Sequence, residues 1–307
     1  MRIALLGLGD IAQKAYLPLL SSMAGVTPLL CTRQAAVLQK LMQQYRIREG
    51  YTELSQLIAA RPDAVMIHSS TDSHFTLAMQ LLQAGIAVFV DKPISYHLDE
   101  CEQLLAQAER RNLPLFVGFN RRYVPLHQDL LAAVPVQLHY QKHRYNLPAD
   151  TRTFVYDDFI HLLDFAHYAT VIHNKGNFTP VVYGQFDTSQ AGNKPLGAVQ
   201  VNWQLGKTTV SVSMNRLSGV NMERLEYYSH NKHWQVDNLV QGHMAESGQV
   251  SQLPQQDWHS TLNRRGFVSM LEAFIGQLEK GGTNVTDNKR ALSSHQLCEY
   301  VVQQLGG

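Results

Sequence analysis

Between Tyr156 and Tyr168 the chain reads Tyr-Asp-Asp-Phe-Ile-His-Leu-Leu-Asp-Phe-Ala-His-Tyr. Asp157, His161 and Asp164 stand at i, i+4 and i+7, so a helix carries carboxylate, imidazole and carboxylate on one face. An unperturbed imidazole titrates near ~6.5 and can accept or release a proton near neutrality. A neighbouring carboxylate would orient the ring and raise its basicity. Both Asp157 and Asp164 can reach His161, and the spacing does not choose between them. Two plainer readings stand beside this one. The stripe can be a solvated helix face, or Asp157 and His161 can be metal ligands, for which the sequence offers no compelling third, so no metal is expected.

A second chemical signal lies in Ile86-Ala-Val-Phe-Val-Asp-Lys-Pro93. Ile86, Val88, Phe89 and Val90 suit a strand buried on both faces, and Pro93 cannot extend its ladder. In a doubly wound sheet, ligands bind outside the carboxyl ends of the strands. Lys92 would then stand at the mouth of a crevice, with Asp91 beside it. A lysine, ordinarily cationic below about pH 10.4, can polarise a reacting oxygen there and stabilise an alkoxide. The plainer reading of Asp91 and Lys92 is a solvated strand end.

The third signal is Gly7-Leu-Gly-Asp-Ile-Ala12, between an apolar run, Arg2 to Leu6, and a helical pattern through Leu17, Leu19 and Leu20. Strand, G-x-G-x-x-A turn and helix form the context of a dinucleotide fingerprint. Gly7 and Gly9 let the backbone approach a pyrophosphate, and Asp10, Ile11 and Ala12 open the helix whose free N–H groups face it. About 20 residues on, an NAD site carries an acid for the ribose hydroxyls. Here Thr32 and Arg33 end the second strand instead. A threonine hydroxyl and a guanidinium suit a 2′-phosphate, so NADP(H) is expected over NAD(H). Ser69 and His74 follow another buried strand, at the same sheet edge. His74 reads either as a cofactor contact or as a helix-capping surface histidine.

Strands are expected at residues 2–6, 26–31, 64–68, 86–90 and 114–119, alternating with helices, which is a Rossmann-type parallel sheet. Beyond it, residues 136–145, 181–186, 198–205, 208–214, 223–229 and 232–237 alternate or carry β-formers. They predict an open, mostly antiparallel sheet, and residues 242–258 read as a loop. The fold class is thus α/β: a doubly wound N-terminal domain over 1–119 and a C-terminal α+β domain over 120–307, with the substrate cleft expected between them. An open sheet exposes one face, which dimerisation would cover. Asn120, Arg121 and Arg122 follow the last Rossmann strand, placed to hold a hydroxyl, carboxylate or phosphate or to form a linking salt bridge. Asp164 joins them as a candidate substrate contact.

Charge is balanced, with 26 Lys+Arg against 25 Asp+Glu in 307 residues, so nothing calls for nucleic acid or an anionic membrane. No apolar run approaches the ~20 residues of a spanning helix. Three dispersed cysteines fit neither a disulfide framework nor a zinc knuckle, and the apolar start ends at Asp10, too early for a signal peptide. A cytoplasmic protein is expected.

The motifs Gly7–Ala12, Asp72-Ser-His74, Ala84-Gly85, Asp91-Lys92-Pro93 and Gly118-Phe-Asn-Arg-Arg-Tyr123 together resemble the Gfo/Idh/MocA oxidoreductases. Within that family the chain is most similar end to end to the MviM-type oxidoreductases. The resemblance implies NAD(P)-dependent hydride transfer on a sugar, polyol or derivative and a homodimer or higher homo-oligomer. It identifies Asp157 and His161 as the family's D-x-x-x-H pair, with His161 as acid/base. The family's usual Glu-Lys-Pro is Asp91-Lys92-Pro93 here, with a shorter first side chain. Two other outcomes fit the same resemblance: a cofactor-binding sensor without turnover, and redox-neutral elimination or glycoside cleavage through transient oxidation.

Overall fold

The computed structural model describes residues 1–188, 194–254 and 258–306, and the chain divides into two compact units. Unit 1 holds Met1–Gly118 and Met270–Leu292, and unit 2 holds Phe119–Ser269 and Ser293–Gly307. A single cut at 119/120 assigned Met270–Leu292 to the second domain; it clusters with the first.

In unit 1 the apolar runs become parallel strands β1 (Arg2–Leu6), β2 (Thr27–Cys31), β3 (Gly50–Tyr51), β4 (Ala64–Ile67), β5 (Ala87–Val90) and β6 (Leu115–Val117). Their order is β3-β2-β1-β4-β5-β6, the doubly wound order that reverses between β1 and β4. Residues of β4 and β5 are all buried, as expected for strands covered on both faces. The returning segment supplies part of that cover. Phe274 lies edge-on to Phe89, with ring centroids 5.3 Å apart, and 5.5 Å from Phe116.

Unit 2 carries an eight-stranded sheet: β7 (Pro135–Tyr145), β8 (Val181–Phe186), β9 (Leu196–Leu205), β10 (Thr208–Ser218), β11 (Met222–Ser229), β12 (Lys232–Asp237), β13 (Gln241–Glu246) and β14 (Gln249–Gln252). The order is β14-β13-β12-β11-β7-β10-β9-β8, and every pairing is antiparallel except β7 with β10. Residues 242–258, expected as a loop, instead form most of the β13–β14 hairpin; residues 255–257 lie outside the described residues. The turn is Ser247-Gly248, both at positive φ, as a two-residue hairpin requires. Its strands lack apolar alternation because β14 is an exposed edge.

The helical run over 151–171 packs on β7 and β10. Its middle, Phe154–Phe159, is a π-helix, a widened turn that alters the simple i, i+4 register around Asp157. The face formed by the paired residues Val181, Asn202, Ser211, His139, Glu226 and Gln235 runs across six strands and is mostly polar. Of the aromatic residues, Trp203, Tyr227 and Trp234 are core, whereas Tyr145 and Trp258 are exposed.

Candidate functional site

The carboxyl ends of β2, β1, β4 and β5 lie along one edge of the unit 1 sheet, and the expected cofactor residues gather there. The Gly7 N–H donates to the Cys31 carbonyl at 3.0 Å, tying the glycine turn to the end of β2 where Thr32 and Arg33 follow. Gly7 has φ +89°, and a Cβ on it would fall 2.6 Å from the Ser69 nitrogen. The fold itself therefore demands glycine at this position. Gly9 differs: the nearest atom to a Cβ there is the His68 carbonyl oxygen at 4.0 Å. No neighbour in the protein requires Gly9. The helical run begins at Asp10, and Ile11 is 39% exposed beside this open space. Ala12 is fully buried, Asp10 pairs with Lys14 in solvent, and the Gln13 amide donates to the Leu8 carbonyl at 2.7 Å.

This contrast makes a prediction. Gly9→Ala is expected to leave the thermal midpoint of the ligand-free protein unchanged but to weaken NAD(P)H binding at least about tenfold, roughly 1.4 kcal/mol. Gly7→Ala loses binding and also about 1–3 kcal/mol of stability through backbone strain. Differential scanning fluorimetry with NADH and NADPH titrations reads both. Full-affinity binding by Gly9→Ala removes the cradle from this turn.

His74 is buried rather than on the surface. Its Nδ1 lies 2.8 Å from the Pro93 carbonyl and its Nε2 lies 3.1 Å from the Ser69 carbonyl, so one ring joins the loops after β4 and β5. Burial pulls its pKa down, against the pull of those carbonyls and of Asp91. Ser69 and Ser73 share a hydroxyl–hydroxyl bond of 2.6 Å. Asp91 accepts the Lys92 N–H at 2.9 Å and faces His68 Nδ1 at 3.5 Å, while Tyr16 stacks on His68 with centroids 3.9 Å apart. Burial alone would raise the Asp91 pKa, but the His68 bond and the Lys92 charge hold it below the usual range. The shortened acid of the Asp-Lys-Pro sequence thus secures its own loop. Thr32 accepts the Gln34 N–H at 3.4 Å, and Arg33 is exposed.

In unit 2 the helix face is divided. His161 is half-buried, with Arg121 Nη1 at 3.3 Å from Nδ1 and 3.5 Å from Nε2. A guanidinium can only donate, so Arg121 faces the ring as a donor and a positive charge. Asp164 is engaged away from the exposed face. It is buried in a forked pair with Arg122, whose Nε donates at 3.0 Å, and it accepts the Ser294 hydroxyl at 2.7 Å. Arg122 also lies over the rings of Phe119 and Tyr168. Asp157 is half-buried on the same helical run. Asn120 donates to the Arg265 carbonyl and accepts from Arg121.

The sequence reading missed a neighbouring charge network. Arg121 pairs in a fork with Glu223 at 3.2 and 3.0 Å, and Glu223 accepts the Tyr140 hydroxyl at 2.6 Å. Asp158, not Asp157, turns into the sheet and meets Lys142, Arg144 and Arg216. The only sequence cue was Lys142 on the inward phase of β7, alternating with Leu138 and Tyr140. Among the described residues no group of three His, Cys, Asp or Glu is placed to hold a metal, and no helix is long and apolar enough to cross a membrane.

Residues 1–119 match the family described as "Oxidoreductase family, NAD-binding Rossmann fold", the Gfo/Idh/MocA group, and residues 122–247 match "YceM-like, C-terminal domain". YceM of Salmonella typhimurium strain LT2 is 30% identical over 306 residues, covering 97% of this chain and 96% of YceM. The chain belongs to the Gfo/Idh/MocA oxidoreductases. A crystal structure of a Gfo/Idh/MocA oxidoreductase from Vibrio cholerae shares 37% identity and a TM-score of 0.91, covering 100% of this chain and 98% of that one. The myo-inositol 2-dehydrogenase of Thermotoga maritima is 27% identical over 124 residues, 40% of this chain and 37% of the dehydrogenase. In this Gfo/Idh/MocA chain, the glycine turn, the Ser69 loop and the Lys92 loop therefore belong to an NAD(P)-binding Rossmann unit.

Proposed function

We propose that this oxidoreductase transfers a hydride between NADP(H) and a secondary alcohol or carbonyl of a sugar, polyol or derivative. The observation that carries the reading is the single sheet edge of unit 1. There His74 ties the Ser69 loop, which packs on Gly7, to the loop that presents Lys92. The inositol dehydrogenase likeness supports the substrate class.

NADP(H) supplies the hydride acceptor or donor. The residues to hold it are the turn from Gly7 to Ala12, Ser69, and Thr32 with Arg33 for the 2′-phosphate. In the oxidation direction, the ring of His161 takes the hydroxyl proton as the C–H electron pair departs to the nicotinamide. The Lys92 ammonium stabilises the alkoxide oxygen as it forms. Reduction runs the same steps backwards: Lys92 polarises the carbonyl and His161 returns the proton. Asp157, on the helical run of His161, is assigned to orient it. We place the protein in the cytoplasm, where thiols such as the buried Cys31 and Cys101 stay reduced. We assign it a homodimer through the unit 2 sheet, supported by the exposed Val181 and Tyr183 on β8.

Cofactor choice tests the reading directly. Fluorescence titration should show NADPH binding at least about tenfold more tightly than NADH. Arg33→Ala should remove most of that difference by weakening NADPH alone. Preference for NADH in the unaltered protein overturns the role of Thr32 and Arg33.

A further inference from the structure

The proposed chemistry leaves Lys142, Arg144 and Arg265 without a task. All three line a cavity of about 220 Å³ in unit 2, together with Arg121, Glu223 and Asn238. Glu223 is the only carboxylate among the lining residues, and the Arg121 fork and the Tyr140 hydroxyl already engage it. Asp158 lies behind the wall and is shared by Lys142, Arg144 and Arg216. Two carboxylates thus answer five cations in this neighbourhood, among the described residues.

Excess charge of one sign is costly to desolvate, and an ion of the opposite sign offsets that cost. Lys142 registers the imbalance: burial, then the charge of Arg121, pushes its ammonium down to about 8 despite two nearby acids. The wall is also rich in donors. Asn221 and Asn238 line the cavity, and their side-chain oxygens accept the N–H groups of Tyr145 and Glu223. Their amide N–H groups remain as donors for a ligand. Arg121 connects this cavity to the candidate acid/base, since it forms part of the wall and lies 3.3 Å from His161.

We propose that the cavity binds an oxyanion, a carboxylate or phosphate carried by the substrate, so that the enzyme acts on an anionic sugar or polyol. This rests on the dehydrogenase reading for the word substrate; the anion site itself does not. An anion held by Lys142, Arg144 and Arg265 stands one side chain away from His161. The anchor would thereby select which hydroxyl of a polyol meets the base.

Isothermal titration of the full chain with galacturonate, glucose 6-phosphate, inorganic phosphate and neutral galactose tests this without turnover. At least one of the two anionic sugars should bind about tenfold or more tightly than galactose. Galacturonate binding that phosphate does not displace identifies a carboxylate site, whereas glucose 6-phosphate binding that phosphate displaces identifies a phosphate site. Arg265→Ala and Arg144→Ala alter exposed and half-exposed side chains, and each should weaken the anionic ligand about tenfold while galactose binding stays unchanged. Lys142→Met should do the same, with circular dichroism reporting whether it folds. Equal affinity for anionic and neutral sugars, or unchanged anion affinity in the double Arg144→Ala, Arg265→Ala variant, overturns the site. Anion binding with no turnover of any bound sugar would instead overturn the dehydrogenase reading and leave the anion site standing. Turnover of neutral polyols with no preference for anions would do the reverse.

Discussion

His161→Ala is expected to lower kcat by about 10²–10⁴, the usual contribution of a positioned acid/base. NADPH affinity should stay unchanged, because the proton-transfer group is not a cofactor contact. The loss should fall on kcat and kcat/KM together, the mark of an interaction made only in the transition state. The ascending limb of the pH profile for alcohol oxidation should disappear with the ring, a readout that a merely structural histidine would not move. Lys92→Ala should cost about 10²–10³ by removing a preorganised charge at the developing alkoxide, leaving the pH limb in place. Steady-state kinetics with NADP and a polyol across pH distinguishes the two. Unimpaired turnover in both variants would sink the assignment, whereas cofactor binding with no turnover in the unaltered protein would favour a cofactor-binding sensor.

The largest structural effect is expected from Asp158→Ala. Removing this carboxylate takes the ion pair from Arg216 and leaves Lys142 only the more distant Glu223 at 3.9 Å, at residues 5% and 4% exposed, and it loosens Arg144. Breaking a buried pair leaves an uncompensated charge and costs about 3–5 kcal/mol. Urea denaturation at neutral pH should show this as a lower midpoint with an unchanged slope. Acid should reproduce part of the effect in the unaltered chain. Burial alone would raise the carboxyls of Asp158 and Glu223, but their cations win and hold both well below the usual range, Glu223 at about 2. A depressed folded pKa means that the unfolded chain binds the proton first. The stabilisation is therefore complete above about pH 4.5 and falls away as the pH drops toward 2. Asp158→Ala should flatten that acid slope, and a slope equal to the unaltered protein's would place the acid sensitivity elsewhere.

The contrast between Asp157 and Asp158 shows where reading the sequence ends. The spacing offered Asp157 and Asp164 alike as partners of His161 on a regular helix, and the family resemblance named Asp157. The π-helix over Phe154–Phe159 shifts the phase by part of a turn, and no residue in that stretch announces it. Long-range pairs were equally hidden. Arg121 finds Glu223 and Arg122 finds Asp164 across sequence gaps of 102 and 42 residues. Nothing local distinguishes those acids from solvated ones. What periodicity could show, it did: β4 and β5 stand out as continuous apolar runs, and β9 to β12 alternate because one face is buried. The two-residue β3 and the Gln- and Ser-rich β13–β14 hairpin gave no such signal, being too short in one case and too exposed in the other. At the sheet edge, the glycine turn and Asp91-Lys92-Pro93 were legible as motifs. That His74 would be the strap between two loops was not.

The return of Met270–Leu292 to unit 1 bears on how the protein is made. Phe274 covers Phe89 and Phe116, yet it leaves the ribosome only after the whole stretch from Phe119 to Ser269 has been translated. At ~5–20 residues per second, the nascent Rossmann sheet waits on the order of ten seconds without Phe274 on those two rings. During that interval the surface that Phe274 later covers is open to chaperones and to neighbouring nascent chains. A segment made late completes a sheet made early.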